Sequence, residues 1–191
     1  MLTKEGLVHI YTDNSRELYA FIRRMVGSKE TADNILHDVY KKMIILSDKK
    51  DLDIANIKFL LFAQAKKSIA DNLGKKSQQG KEHSSDTFAY KTEYEFDTTI
   101  DDELIIQRMN PVLNKMSLLM KTVFILKKDF LMDFQDIAFI CGISEKAVHR
   151  CLRSAAVKFV NDFVKAGYIH YSFIYILFYL IIFPLKNIVI T

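Results

Sequence analysis

Proline and glycine are scarce in this chain, two and six among 191 residues, and that scarcity removes the usual punctuation of β-rich folds. No segment sustains the period-two alternation of a half-buried strand, so helices are the expectation. Cysteine is scarcer still. Cys141 and Cys151 are too few for a disulfide framework and lack the His and Cys company of a zinc site, which makes a reducing compartment the default. Catalytic constellations are missing as well. The five histidines do not pair with acids at metal-ligand spacing, and there is no P-loop, nucleotide fingerprint or Gly-x-Ser-x-Gly elbow. A non-enzyme without a cofactor or metal is therefore expected. The first fourteen residues are polar and contain Lys4, Glu5 and Asp13, so no secretory signal is expected there.

What is present is charge, divided unevenly. The net charge of +4 hides three zones. Residues 1–80 hold fourteen Lys and Arg against ten Asp and Glu, net +4, and residues 106–166 hold ten against five, net +5. Between them residues 81–105 hold two against eight, net −6. Two basic modules joined by an acidic strap suit a protein whose modules both approach nucleic acid.

Residues 132–155 carry the sharpest local signal. Asp133 stands where it can cap a short helix whose apolar positions Phe134, Ile137 and Ala138 share a face. Gly142 supplies a left-handed turn, and Ser144 caps a second helix. On that second helix Val148, Leu152, Ala155 and Phe159 fall inward, whereas Lys146, His149, Arg150 and Arg153 fall outward. This is the pattern of a helix-turn-helix, whose protruding second helix enters a major groove and sets cations against phosphates and base edges. An αα-corner with a solvated basic face is the competing reading.

The remaining pattern is helical too. Residues 5–75 read as three helices. The first bears the stripe Leu18, Phe21, Ile22 and Met25, and the second, capped by Ser28, bears Ala32, Ile35, Leu36, Val39, Tyr40 and Met43. A charged loop over 47–53 leads to a third helix, capped by Asp53, with Ile57, Leu60, Leu61, Ala65, Ile69 and Leu73 inward. From Gly74 the apolar period stops, and residues 76–100 read as a polar linker. A second module, 101–165, then has helices over 101–115 and 118–128 before the helix-turn-helix, with Pro111 disturbing the first. Asp101, Asp102 and Glu103 meet a helix N-terminus, where acids suit the dipole. The expected fold is all-α: two small helical domains, a linker and a hydrophobic C-terminal helix.

The order of these parts resembles bacterial RNA polymerase sigma factors of the small two-domain, extracytoplasmic-function group, over about residues 5–165. Residues 26–40, Val-Gly-Ser-Lys-Glu-Thr-Ala-Asp-Asn-Ile-Leu-His-Asp-Val-Tyr, resemble the glycine turn and helix of that family's region two. Residues 56–71, from Asn56 through Phe59-Leu60-Leu61-Phe62 to Asp71, resemble the helix that follows it. Residues 116–124 and the helix-turn-helix resemble region four, with its Glu-Ile-Ala…Leu-Gly-Ile-Ser signature. The resemblance implies that the protein binds core RNA polymerase and promoter DNA and initiates transcription, and it leaves room for an anti-sigma factor. By the same resemblance Asp33, His37 and Asp38 would contact the polymerase clamp. Lys58, Lys66 and Lys67 would meet the minus-ten element, and Lys146, His149, Arg150 and Arg153 the upstream element. An i,i+4 surface pair is an equally sufficient account of Asp33 and His37.

The chain departs from the family in places. Lys67 stands where the family has Asn, no Trp occurs anywhere, and Cys151 and Ser154 occupy positions where the family has Arg. A shift of one residue turns a helical side chain by about a quarter turn, so Arg150 and Arg153 imply an altered upstream readout. Two other readings stand beside this one: a helix-turn-helix regulator acting without polymerase, and a membrane-attached interaction protein.

The C-terminal residues 166–191 stand apart. Residues 166–185 lack Lys, Arg, Asp and Glu, and at about 1.5 Å per residue a helix of that length reaches roughly 30 Å, the thickness of a bilayer's hydrocarbon core. Lys158 and Lys165 before the run and Lys186 after it favour a cytoplasmic N-terminal side. A cytoplasmic protein tethered to the inner face of the membrane is one expectation. A helix packed on the domains, or a weakly selected extension, is the other.

Overall fold

The computed structural model describes residues 4–49, 56–78 and 109–167. Every regular element among them is an α-helix, and no strand occurs among the described residues. The chain divides into two compact units, Met1–Gln107 and Arg108–Thr191.

In the first unit α1 (Lys4–Val26), α2 (Lys29–Lys49) and α3 (Ile57–Gln78) enclose one core. Gly27 ends α1 in the left-handed region at φ 77, which costs a side-chain-free residue little. Ser28 then starts α2, its Oγ accepting from the Thr31 amide at 3.3 Å. Leu18, Phe21, Ile22 and Met25 of α1 are buried with Ala32, Ile35, Leu36, Val39 and Met43 of α2 and Ile57, Leu61, Phe62, Ala65 and Ile69 of α3. Phe21 and Phe62 meet with ring centroids 5.1 Å apart. Each large side chain so buried stabilises by about 1.5–3 kcal/mol, against roughly 1 kcal/mol for a cap, so packing rather than capping holds the three helices.

Three expectations for this unit are corrected. The charged loop over 47–53 begins later, because α2 runs to Lys49. Ser47 fits the last turn by donating its Oγ to the Ile44 carbonyl at 2.7 Å. The linker does not begin at residue 76, because α3 continues through Gly74 to Gln78. A single interior glycine costs only about 1 kcal/mol in a helix already propagated from a packed segment. Leu73 follows the apolar period of α3 yet is 48% exposed, so the stripe outlasts the core it serves. Asp53 and the rest of residues 50–55 lie outside the described residues, as does most of the expected linker.

The second unit begins, among the described residues, with a helical segment over 109–113. Pro111 lies within it, and the helix expected to reach residue 115 ends at 113, followed by a turn over 114–116. Next come α4 (Leu118–Lys128), α5 (Phe134–Cys141) and α6 (Glu145–Lys165). Ser117 caps α4, its Oγ accepting from the Met120 amide at 3.3 Å. Val112, Leu113, Val123, Phe124, Leu126, Ile137, Ile140, Val148, Leu152, Ala155 and Phe159 form the core. Phe159 stacks on Phe124 at 5.0 Å and on Phe163 at 5.1 Å.

Among the described residues no helix is long and apolar enough to cross a membrane. The expected apolar tail lies outside the described residues except for its first two positions. Ala166 and Gly167 close α6: their amides donate to the Asp162 and Val164 carbonyls at 3.1 and 2.9 Å, and Gly167 turns left-handed at φ 74. α6 thus ends at Lys165, and the rest of the C-terminal helix expected from residue 166 lies outside the described residues.

Candidate nucleic-acid interface

The helix-turn-helix is built as its sequence pattern requires. Gly142 sits at φ 67, its amide directed to the Ala138 and Phe139 carbonyls, and the Ile143 amide reaches back to the Ala138 carbonyl at 3.1 Å. This closure satisfies the last carbonyls of α5 and turns the chain within three residues. Ser144 opens α6, its Oγ accepting from the Ala147 amide at 3.3 Å. Val148, Leu152, Ala155 and Phe159 are buried, as their spacing predicts. Asp133 occupies the N-cap position of α5 with extended backbone, but its carboxylate makes no capping hydrogen bond, in contrast to the expectation.

Of the four side chains assigned to the upstream element, Lys146, Arg150 and Arg153 are exposed on the outer face of α6. None of the three has an ion-pair partner among the described residues. His149 departs from the expectation. It is half-buried, its ring stacked on Phe134 with centroids 3.8 Å apart and planes 24° from parallel. Position 149 follows the buried Val148 by about 100° around the helix, which places it at the seam between inner and outer faces. There the first residue of α5 takes up its ring. Lys127 adds to this contact: its Nζ lies 4.6 Å from the Phe134 centroid and donates to the Met132 carbonyl at 2.9 Å.

The first unit treats its assigned residues differently. Lys58 pairs with Glu17 of α1 at 2.8 Å, Lys66 is half-buried, and Lys67 is exposed. Asp33 and His37 are exposed on α2. Partial burial raises the Asp33 carboxyl above the usual range, opposed by Lys29, a Tyr19 hydrogen bond and Arg23. Asp38, expected to be exposed with them, is half-buried and engaged. Its Oδ2 accepts from Ser68 Oγ at 2.8 Å and pairs with Lys42 Nζ at 2.7 Å. Lys42 also donates to Ser68 Oγ at 3.1 Å and lies 3.7 Å from Asp71. The hydrogen bond to Asp38 is the main reason the Lys42 amine is raised above its ordinary value. Ser68, only 3% exposed, is thus the polar centre of the α2–α3 seam.

Sequence reasoning missed two groups. The Asp38–Ser68 bond spans thirty positions, and the only local sign of the cluster is the i,i+4 spacing of Asp38 and Lys42. Lys121, on α4, is 5% exposed and donates to Asn114 Oδ1 at 2.8 Å. Burial lowers its amine to about 8. Its place between Met120 and the apolar run from Val123 is the one sequence sign of that burial. Neither cysteine forms a disulfide; Cys141 is buried and Cys151 half-buried, and burial raises the Cys151 thiol. Among the described residues no His, Cys, Asp and Glu cluster could hold a metal ion. Compared with protein-family models and with curated proteins, the chain matches none.

Proposed function

We propose that the protein directs core RNA polymerase to promoters, in the manner of the extracytoplasmic-function sigma factors its sequence resembles. The observation that carries this reading is the capped recognition helix α6, with Lys146, Arg150 and Arg153 exposed beside one another and unengaged by acids among the described residues. Cations in this state meet phosphate or base edges without first breaking an ion pair. The first unit would supply the polymerase contact through Asp33 and His37, both exposed on α2. Asp38 enters that surface less readily, because it would have to leave Ser68 and Lys42.

One observation favours a second reading, a regulator that binds duplex DNA without polymerase. Of the three lysines assigned to the minus-ten element only Lys67 is exposed, and Lys58 is held by Glu17. Incubation of the full chain with sigma-free core polymerase separates the two. The sigma reading requires a stable complex and transcription from a selected promoter only when this chain is added. Duplex binding without a polymerase complex would establish the regulator instead. In either case Arg150→Ala and Arg153→Ala should each cost roughly 1–3 kcal/mol if the side chain reads a base edge, and lower the salt slope by about one if it touches phosphate alone.

A further inference from the structure

We propose that His149 does not read DNA, and that with Lys127 and Phe134 it forms a three-group column that sets the position of the recognition helix. Its consequence for DNA contact rests on the duplex-binding reading; the column itself does not. Three elements contribute one group each: Lys127 comes from the last turn of α4, Phe134 is the first residue of α5, and His149 lies in the second turn of α6. The imidazole fills one face of the Phe134 ring at 3.8 Å. The Lys127 ammonium lies over the same ring, 4.6 Å from its centroid. A cation over a phenyl is favoured by the ring's negative face, and a flat ring stacks against its breadth.

The column also steadies a strained connection. Between α4 and α5 the chain passes through Leu131 at φ 52, a left-handed conformation that disfavours a side chain, and Leu131 is 78% exposed. Packing of that side chain therefore does little to hold the turn. What holds it is hydrogen bonding on its two sides: the Met132 amide donates to the Leu126 carbonyl at 3.1 Å, and Lys127 Nζ to the Met132 carbonyl at 2.9 Å. One ammonium thus fixes the turn that precedes α5 and caps the ring against which α6 is registered. Arg150 follows His149 directly, so a change in the tilt of the 149 ring moves the neighbouring guanidinium relative to a groove. Lys127 and His149 are positioning residues on this account, acting through Phe134.

The decisive comparison is between His149→Phe and His149→Ala in the full chain. A phenyl keeps the stack and removes both ring nitrogens; alanine removes the ring. Hydrogen exchange at the amides of residues 147–150 reads the column without DNA. His149→Ala and Phe134→Leu should each raise exchange there about fivefold or more, the double variant little beyond the larger single, and His149→Phe should stay near the parent. Binding of a random-sequence 30-base-pair duplex pool, titrated against salt, reads the consequence. His149→Phe should bind within about twofold of the parent, while His149→Ala and Lys127→Met bind several-fold more weakly. The salt slope of His149→Ala should stay that of the parent, because no phosphate contact is lost. Unchanged exchange in His149→Ala would overturn the column. Binding by His149→Phe as weak as by His149→Ala would also overturn the proposal, since ring nitrogens rather than ring stacking would then matter. A parent that binds no duplex would sink the duplex-binding reading, and the exchange data alone would decide the column.

Discussion

Residues 1–80 of the first unit and 106–166, nearly all in the second, carry nearly the same excess of positive charge, +4 and +5, and use it in different ways. In the first, Lys42 and Lys58 are drawn into contacts with Asp38, Asp71 and Glu17, and the α2–α3 seam closes over the polar centre Ser68. In the second the seam is apolar and aromatic, through Phe124, Phe159 and Phe163, and the outer cations Lys146, Arg150 and Arg153 stay unpaired among the described residues. Net charge by itself is thus a poor guide to an interface. Cations with no nearby acid are the ones that can release counterions from a nucleic acid without first breaking an ion pair.

The largest expected effect tests the aromatic seam. Phe124→Ala removes a buried ring that stacks on Phe159 and should destabilise the second unit by about 3–5 kcal/mol, leaving the first unit's urea transition in place. A common shift of both transitions would dissolve the distinction between the units.

A pH titration sharpens it next. Lys121 is held down to about 8 in the folded state, so between about 8 and the usual 10.5 the unfolded chain binds more protons than the folded one. Stability of the second unit should therefore rise with pH across that window, by on the order of 3 kcal/mol in all. Lys121→Met should remove this rise and be at least as stable as the parent near pH 7. The check is the urea midpoint of parent and variant at pH 7.5 and 10. If both respond alike, Lys121 is not the source.

Smaller effects belong to the first unit. Asp38→Ala deprives buried Ser68 and its neighbour Lys42 of their acceptor and should cost about 1–2 kcal/mol, after discount for the partial exposure of the carboxylate. Asp33→Ala, on the same helix but exposed, should change stability by less than about 0.5 kcal/mol. Thermal unfolding of the two variants side by side checks the contrast, and equal losses would remove Asp38 from its structural role. The smallest effect is expected at Lys58→Ala. Its ion pair with Glu17 is more than a third exposed on both sides and should contribute under about 1 kcal/mol, declining with added salt.

Much of this is legible in the sequence. Gly27, Ser28, Gly142 and Ser144 are turn and cap residues whose conformations follow from local chemistry, and each stands where its type predicts. The apolar stripes of α1, α2 and α6 were legible for the same reason: spacing at 3.6 residues assigns a face whatever the partner. The ends of elements were less so. Gly74 suggested a stop that the helix passes over, because a breaker's cost of about 1 kcal/mol is small beside the packing that precedes it. Asp133 had the right residue type and backbone for a cap, yet its side chain makes no capping bond.

The sequence by itself determined the helical character of the described residues, the turn at Gly142, the inward stripe Val148–Leu152–Ala155–Phe159 and the outward set Lys146, Arg150 and Arg153, since these depend on residues within a few positions of one another. Only the tertiary structure decided that Asp38 bonds Ser68, that Lys121 is buried and its amine lowered, and that His149 is half-buried against Phe134 rather than exposed. The reason is range. Helical period and capping are local, whereas the availability of a charged or polar side chain is set by whichever element packs beside it, and no spacing along one helix specifies that neighbour.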